Sequence, residues 1–261
     1  MELISDFNID LSKRELITFV GAGGKTTTIF NLARELRDKG KKVLVTTTTA
    51  IYYPNDEKCD RIIVLDNEME NIFQEIFLGG ITVVGQKVTD KGKLKGIECS
   101  IINELFLKKV FDYILVEGDG AKGKPIKVPA DHEPVIPSLA TLVIAVIGVD
   151  AVGRRINEDN VHRVLQFCEI AKKDISEIIS EEDLVSISVN EKGIFKFAPK
   201  GSKKLLFLNK SRVPEDTEML ERIKKKIKIY NDEYGHGGNG WQHVNIDDII
   251  IGIREEGKKN G

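Results

Sequence analysis

The segment VGAGGKTTT, residues 20–28, constrains the fold more than any other part of the chain. It overlaps the end of an apolar run of strand length, residues 16–21, and opens an amphipathic stretch that ends at Gly40. Glycines at such a junction let backbone N–H groups approach phosphate oxygens, and the helix N-terminus adds its dipole. The order strand, glycine loop, helix therefore predicts an α/β fold with a phosphate site after the first strand.

The residues of this loop have individual predicted roles. Lys25 is placed to reach the β- and γ-phosphates of a nucleotide, and Thr26 to present its hydroxyl to Mg²⁺. The loop is shorter than the usual GxxxxGK[ST] pattern, because Phe19 stands where the first glycine is expected. Its GxxGKTT spacing resembles the loop of the Mur-type amide ligases. The predicted nucleotide-binding residues here are Gly21, Ala22, Gly23, Gly24, Lys25, Thr26 and Thr27.

Apolar runs of strand length alternate with amphipathic segments of helix length along most of the chain. After the first helix, further helices are predicted at 68–78, 100–110, 160–171 and 214–230. Several of these runs are continuous and rich in β-branched residues, which is typical of strands covered on both faces. The alternation predicts a three-layer, P-loop NTPase-like α/β fold with a mostly parallel sheet. We expect one domain over residues 1–261, with a hairpin or small insertion at 187–199 and a flexible glycine-rich segment at 234–241.

Composition excludes several classes of protein. The formal net charge of −2 gives no broad basic field, so nucleic acid is not an expected partner. The longest apolar run, residues 142–148, is far shorter than the roughly 20 residues that span a bilayer, so no membrane association is expected. The three cysteines form no CxxC pair and no signal peptide is apparent, which together predict a cytoplasmic protein.

Acidic and hydroxyl side chains follow two of the predicted strands. Glu117 and Asp119 come at the end of the run YILVEG, where an acid that holds Mg²⁺ or orients a nucleophile belongs. Four threonines, TTTT, follow the second strand, and Thr47 or Thr48 is the candidate to complete the metal shell or to contact the γ-phosphate. The predicted metal ligands are Thr26, Thr47, Glu117 and Asp119.

A stretch of alternating lysine and proline follows the acids. Four of the chain's seven prolines fall within residues 125–137. Proline fixes φ, so lysines in this segment would be presented with little conformational freedom, as an anionic substrate requires. Together with the acids and the loop lysine, the predicted catalytic residues are Lys25, Glu117, Asp119, Lys122, Lys127, His132 and Glu133. His162 and Arg163 open a predicted helix from which they could reach the crevice, but a surface position is favoured for both.

The segment LLFLNKSR, residues 205–212, resembles the NKxD signature that reads guanine in many P-loop GTPases. Asn209 and Lys210 are therefore predicted to contact the nucleotide. Arg212 stands where the signature has its acid, so selectivity for GTP does not follow, and the nucleotide is ATP or GTP.

Three motifs together resemble the YqeC family, the accessory proteins of selenium-dependent molybdenum hydroxylases. These are VGAGGKTT, TTTT and EGDGAKGKPIKVPADHEPVIP, and the resemblance covers residues 16–209. It implies a P-loop fold and a role in maturing such a hydroxylase, with a site that includes the predicted loop, strand-end and lysine-proline residues. The family's strand-end segment often reads EADGAKG, and Gly118 replaces that alanine here.

Three activities are compatible with these features. The first is a Mg²⁺-nucleotide-dependent hydrolase or phosphoryl or nucleotidyl transferase that acts on a small anionic cofactor or intermediate. The second is a nucleotide-switched binding protein that delivers a cofactor to an apo-hydroxylase. The third is a Mur-like amide ligase, which is disfavoured because no separate substrate domain is evident.

Overall fold

The fold is described from a computed structural model, which defines residues 2–55, 57–65, 80–234 and 243–253. The helix predicted at 68–78 and nearly all of the segment predicted to be flexible at 234–241 lie outside these ranges. Among the described residues, none of the helices combines the length and the apolar character needed to cross a membrane.

The described elements alternate between strands and helices. The strands are β1 (Glu15–Gly21), β2 (Lys42–Thr47), β3 (Ala50–Tyr52), β4 (Arg61–Val64), β5 (Gly80–Gly85), β6 (Lys87–Val88), β7 (Lys93–Lys95), β8 (Tyr113–Glu117), β9 (Ile126–Lys127), β10 (Leu142–Gly148), β11 (Val161–His162), β12 (Lys203–Ser211) and β13 (Asp248–Ile253). The helices are α1 (Leu3–Asp6), α2 (Lys25–Asp38), α3 (Cys99–Leu107), α4 (Val164–Ala171), α5 (Glu181–Val189) and α6 (Thr217–Tyr234).

Eight of these strands form one sheet in the order β13-β12-β10-β1-β8-β2-β5-β4. Every neighbouring pair in it is parallel. The connection that leaves β1 leads to β2 on one side of the sheet, whereas the connection that leaves its neighbour β10 leads to β12 on the other side. Ligands of open α/β sheets bind at such a switch point, outside the carboxyl ends of the strands. The topology therefore places the glycine loop after β1 in that crevice.

Two apolar layers cover the sheet because alternate residues of each strand face opposite sides. In β10, Val143, Ala145 and Ile147 join one cluster, whereas Leu142, Ile144 and Val146 join the other. Helices α1 and α2 pack on the second cluster and α3 to α6 on the first. The predicted three-layer, parallel α/β architecture is confirmed.

The structure rules out the hairpin alternative for residues 187–199 and shortens one predicted helix. Residues 187–199 do not form a hairpin, because α5 continues to Val189 and turns follow it. Ile194 and Phe195 of this segment are buried in the core, and Ile194 lies directly against the phosphate loop. The helix predicted from residue 160 begins only at Val164, because Arg163 has a left-handed backbone with φ 74°.

Candidate functional site

The glycine loop joins the end of β1 to the first turn of α2. Gly21, Gly23 and Gly24 all have positive φ, at 88°, 84° and 127°. A Cβ on Gly23 would lie 2.2 Å from the backbone nitrogen of Gly148, so only glycine fits there. The Gly23 N–H donates to Lys124 O at 3.1 Å, and the Gly148 N–H donates to Pro125 O at 2.9 Å. The backbone of the lysine-proline segment thus lies against the phosphate loop.

Lys25 opens α2 and is buried beside the loop. Its Nζ donates to Gly21 O, lies 3.1 Å from Asp119 Oδ1 and lies 4.0 Å from Glu117 Oε1. The ammonium therefore satisfies both the loop backbone and the acids at the end of β8. A phosphate group in the loop would compete with these oxygens for the same cation.

Thr26 and Glu117 form the pair best suited to a Mg²⁺ ion. The Thr26 hydroxyl donates to Glu117 Oε2 at 2.7 Å. Two adjacent oxygens in an octahedral Mg²⁺ shell lie about 2.9 Å apart, because each bond is roughly 2.0–2.1 Å long. Burial raises the pKa of Glu117, and the Lys25 ammonium and the Thr26 hydrogen bond offset that effect only in part. A cation at this position would favour the charged carboxylate, so the pair fits the metal.

The number of protein ligands also suits Mg²⁺. Among the described residues, no group of three or more His, Cys, Asp and Glu is arranged to hold a metal. Mg²⁺ usually keeps several waters and takes only one or two carboxylates, so it does not need such a group. Asp119 Oδ1 accepts no hydrogen bond from the described residues, although Lys25 lies close to it. A water ligand of the metal could supply that hydrogen bond.

Asp119 and Lys127 form a buried pair next to the loop. Asp119 Oδ2 accepts a hydrogen bond from the Gly21 N–H at 3.2 Å and lies 3.1 Å from Lys127 Nζ. The side chain of Lys127 is 0% exposed, and its ammonium also donates to Gly120 O at 2.7 Å. Sequence reasoning predicted that Lys127 would present its charge to a substrate. Instead, the charge is committed inside the protein.

Glu133 is the second acid that contacts Lys127. Its Oε2 lies 3.0 Å from Lys127 Nζ and accepts from the Ala130 N–H at 3.2 Å, and its Oε1 lies 3.4 Å from Arg163. Burial alone would raise the pKa of Glu133, but the hydrogen bond and charge of Lys127 lower it to about 2. The ion pairs therefore run without a break through Lys25, Asp119, Lys127, Glu133 and Arg163.

The threonines after β2 bond to the backbone. Thr46, Thr47 and Thr48 donate their hydroxyl hydrogens to the carbonyl oxygens of Val84, Glu117 and Val135, each at 2.8 Å. The prediction that Thr47 ligates the metal does not fit this geometry, because its oxygen bonds to the Glu117 main chain rather than lying beside the carboxylate. Hydrogen bonds from these hydroxyl groups to the backbone explain the run of threonines better than metal binding does.

Asn209 and Lys210, at the end of β12, lie against the loop. Asn209 Nδ2 donates to Gly23 O at 2.9 Å, and Asn209 Oδ1 accepts from the Lys210 N–H at 2.9 Å. The side chain of Asn209 therefore braces the phosphate loop. Arg212 stands where the guanine-reading NKxD signature has its aspartate. Its guanidinium donates to Asp216 Oδ1 at 3.0 Å.

The histidine that lines the cleft is His162, not the predicted His132. His132 is exposed and does not line the cleft, whereas the predicted surface residues His162 and Arg163 do line it. The reason is the short parallel pair of β9 and β11, in which His162 lies opposite Lys127. Burial and the charges of Lys127, Arg163 and Lys122 lower the pKa of His162 to about 4, against a weaker opposing effect of Glu133. His162 is therefore neutral at pH 7.

The cleft over the phosphate loop has a volume of about 1800 Å³. The loop lines it together with four cationic or imidazole side chains that we call the cationic wall: Lys122, Lys124, His162 and Arg163. The edge of the small antiparallel sheet lines another wall with Ile51, Tyr52 and Lys93. The Lys93 ammonium lies 4.9 Å from the centre of the Tyr52 ring. The site can thus hold a phosphate chain at its centre and offers both cationic and aromatic contacts beside it.

Comparison with known proteins gives two matches. Residues 17–165 match the sequence model of the family described as "YqeC protein". A protein of Escherichia coli (strain K12), described as "Uncharacterized protein YqeC", is 33% identical over 206 residues, which are 77% of this chain and 79% of that protein. No solved structure matches the chain significantly. The family match includes the phosphate loop, both strand-end acids and the lysine-proline segment.

Proposed function

The chain belongs to the YqeC family, and we propose that this member binds a Mg²⁺-nucleotide, ATP or GTP, in the loop after β1. The observation that carries the proposal is the convergence of Lys25, Thr26 and Glu117 beside a loop of positive-φ glycines. Such a loop cradles phosphates with its N–H groups, and a lysine neutralises their charge. Thr26 and Glu117 would hold the metal, with Asp119 beside them.

Bound Mg²⁺ would neutralise charge on the phosphate oxygens and orient the nucleotide's phosphate groups for in-line attack. The protein's own contribution lies in positioning. The N–H groups from Gly24 into the first turn of α2, together with Lys25, would fix the phosphates, because the Gly21 and Gly23 N–H groups already donate within the protein. Thr26 and Glu117 would fix the cation, and Asn209 holds the loop through Gly23. These groups suit a nucleotide hydrolase or a phosphoryl or nucleotidyl transferase.

Replacing Lys25 with alanine should weaken Mg²⁺-nucleotide binding by about 10- to 100-fold, because a hydrogen bond to a charged group contributes about 1.5–3 kcal/mol. Titration calorimetry with ATP and with GTP measures the effect. Lys39→Ala is the matched control, since Lys39 is an exposed lysine at the opposite end of the same helix. Equal affinities of the wild type and Lys25→Ala would contradict the phosphate-site assignment.

A nucleotide-switched delivery protein is the second candidate. The favouring observation is the buried series of ion pairs that leads from Lys25 to Arg163, because a phosphate that engages Lys25 would redistribute charge along it. Turnover with small anionic molecules alone supports the transferase. Turnover only in the presence of an apo-hydroxylase supports the switch.

We further propose a biological role in the maturation of selenium-dependent molybdenum hydroxylases. The support is family resemblance in the loop, strand-end and lysine-proline motifs. Deleting the gene in a host that makes such a hydroxylase should abolish most of its activity and its labile selenium. Complementation with Lys39→Ala should restore both, whereas Lys25→Ala should not. A deletion strain with normal hydroxylase activity would contradict the role.

A further inference from the structure

Two cationic residues on one wall of the cleft have left-handed backbones. Lys122 has φ 49° and Arg163 has φ 74°, and His162 directly precedes Arg163. Residues with a Cβ adopt this conformation rarely. The conformation fixes where both side chains leave the main chain, on the wall beside the phosphate loop.

The charges on this wall are only partly neutralised. Lys122 is exposed, and no ion pair involves it in the described residues. Lys124 has Asp159 at 3.9 Å, but that carboxylate is 91% exposed and the pair is screened by solvent. Arg163 shares Glu133 with Lys127, and its buried Nε has no hydrogen-bond partner among the described residues. The wall therefore has unused cationic donors.

The cleft is also larger than one nucleotide requires. Its volume of about 1800 Å³ compares with about 300–1000 Å³ for sites that take a single small molecule. The lining includes Lys122, His162 and Arg163 in addition to the glycines, Lys25 and Thr26, which leaves those three side chains for another group. Lysine and arginine in combination suit a phosphate, which offers several oxygens and up to two negative charges.

We propose that Lys122, His162 and Arg163 form a second anion subsite that takes the phosphate group of a small molecule bound beside the nucleotide. This rests on the proposed function only in assigning the nucleotide to the loop. The neutral imidazole of His162 has one N–H group and one unprotonated nitrogen. Depending on its tautomer, it can accept a hydrogen bond from a phosphate hydroxyl or donate one to a phosphate oxygen. Arg163 and Lys122 supply the charge.

The ion pairs connect this subsite to the phosphate loop. A nucleotide phosphate that draws Lys25 from Asp119 leaves Lys127 as the remaining cation of that carboxylate. Lys127 then interacts less strongly with Glu133. The ion pair between Glu133 and Arg163 becomes stronger as a result. Because linkage is reciprocal, each ligand changes the affinity for the other by the same factor.

Inorganic phosphate is the probe, and the imidazole NMR signals of His162, assigned with His162→Gln, are the readout. Phosphate should shift these signals and raise the pKa of His162 from about 4, because a bound anion favours the imidazolium. Arg163→Gln and Lys122→Gln should each raise the dissociation constant for phosphate by about tenfold or more. Lys172→Gln should not, although Lys172 is also left-handed, at the other end of α4.

The Lys25→Ala variant separates this subsite from the nucleotide site. The His162 response to phosphate should persist in Lys25→Ala, and it should also persist in the wild type saturated with Mg²⁺-nucleotide. Loss of the response in either case would overturn the subsite, since the phosphate would then have been in the loop. Unchanged affinity in Arg163→Gln and Lys122→Gln would overturn it as well. If no nucleotide binds but phosphate still shifts His162, the nucleotide proposal fails and the subsite stands.

Discussion

Replacing Lys127 with methionine should lower the free energy of unfolding by about 3–5 kcal/mol, the cost of breaking a buried ion pair by removing one partner. The ammonium of Lys127 lies 3.1 Å from Asp119 and 3.0 Å from Glu133, and the side chain is 0% exposed. Methionine is unbranched and only one atom shorter, but it leaves both carboxylates without this cation. Urea denaturation of the two proteins measures the difference.

Two further variants test the reason for this loss. Lys122→Met, five residues earlier and exposed, should change the free energy of unfolding by less than about 1 kcal/mol. The double variant Lys127→Met/Glu133→Gln should recover part of the loss, because it removes one of the unpaired charges. If Lys127→Met alone costs as little as Lys122→Met, Lys127 does not hold the two acids together.

The second large effect concerns Glu117. Glu117→Gln should reduce Mg²⁺-dependent nucleotide turnover by at least about 100-fold, because it removes a carboxylate from the metal site. The fold should be kept, since the amide oxygen of glutamine can still accept the hydrogen bond from Thr26. A calorimetric titration with Mg²⁺-nucleotide, read beside thermal unfolding, distinguishes lost binding from lost structure.

The same substitution should change how stability depends on pH. Burial raises the pKa of Glu117 above its ordinary value of 4.5. The folded protein therefore holds this proton at a pH where the unfolded chain has released it. The contribution of Glu117 to stability is present below pH 4.5 and falls as the pH rises through the raised pKa. The stability of Glu117→Gln relative to the wild type should increase over that range, and a constant difference would contradict the assignment.

The sequence predicts the sheet and the phosphate loop well because both depend on local patterns. Continuous apolar runs such as β10 must be covered on both faces, and glycines between a strand and a helix have few other uses. Parallel strands also bring their carboxyl ends to one edge, so the sequence places Glu117 near the loop. The observed contact between Thr26 and Glu117 agrees with that expectation.

The predictions that fail depend on tertiary contacts. No local pattern indicates that Arg163 leaves the helix conformation, or that β11 pairs with β9 and brings His162 opposite Lys127. Similarly, the spacing of lysines and prolines does not reveal which lysine is buried. Lys127 lies on the short strand β9 and faces Asp119, whereas Lys122 lies in a turn and is exposed. A pattern of alternating charge carries no information about such pairing.

The hydrogen bonds from Gly23 to Lys124 and from Gly148 to Pro125 bear on whether this motif is portable. The loop is short, and the backbone of residues 124–125, about a hundred residues away in the sequence, lies against it. Transplanting residues 20–28 into another parallel sheet would therefore move the glycines without their support. A working graft would need the 124–125 backbone and the end of β10 as well. The phosphate loop therefore depends on three separate segments of the chain rather than on its nine residues alone.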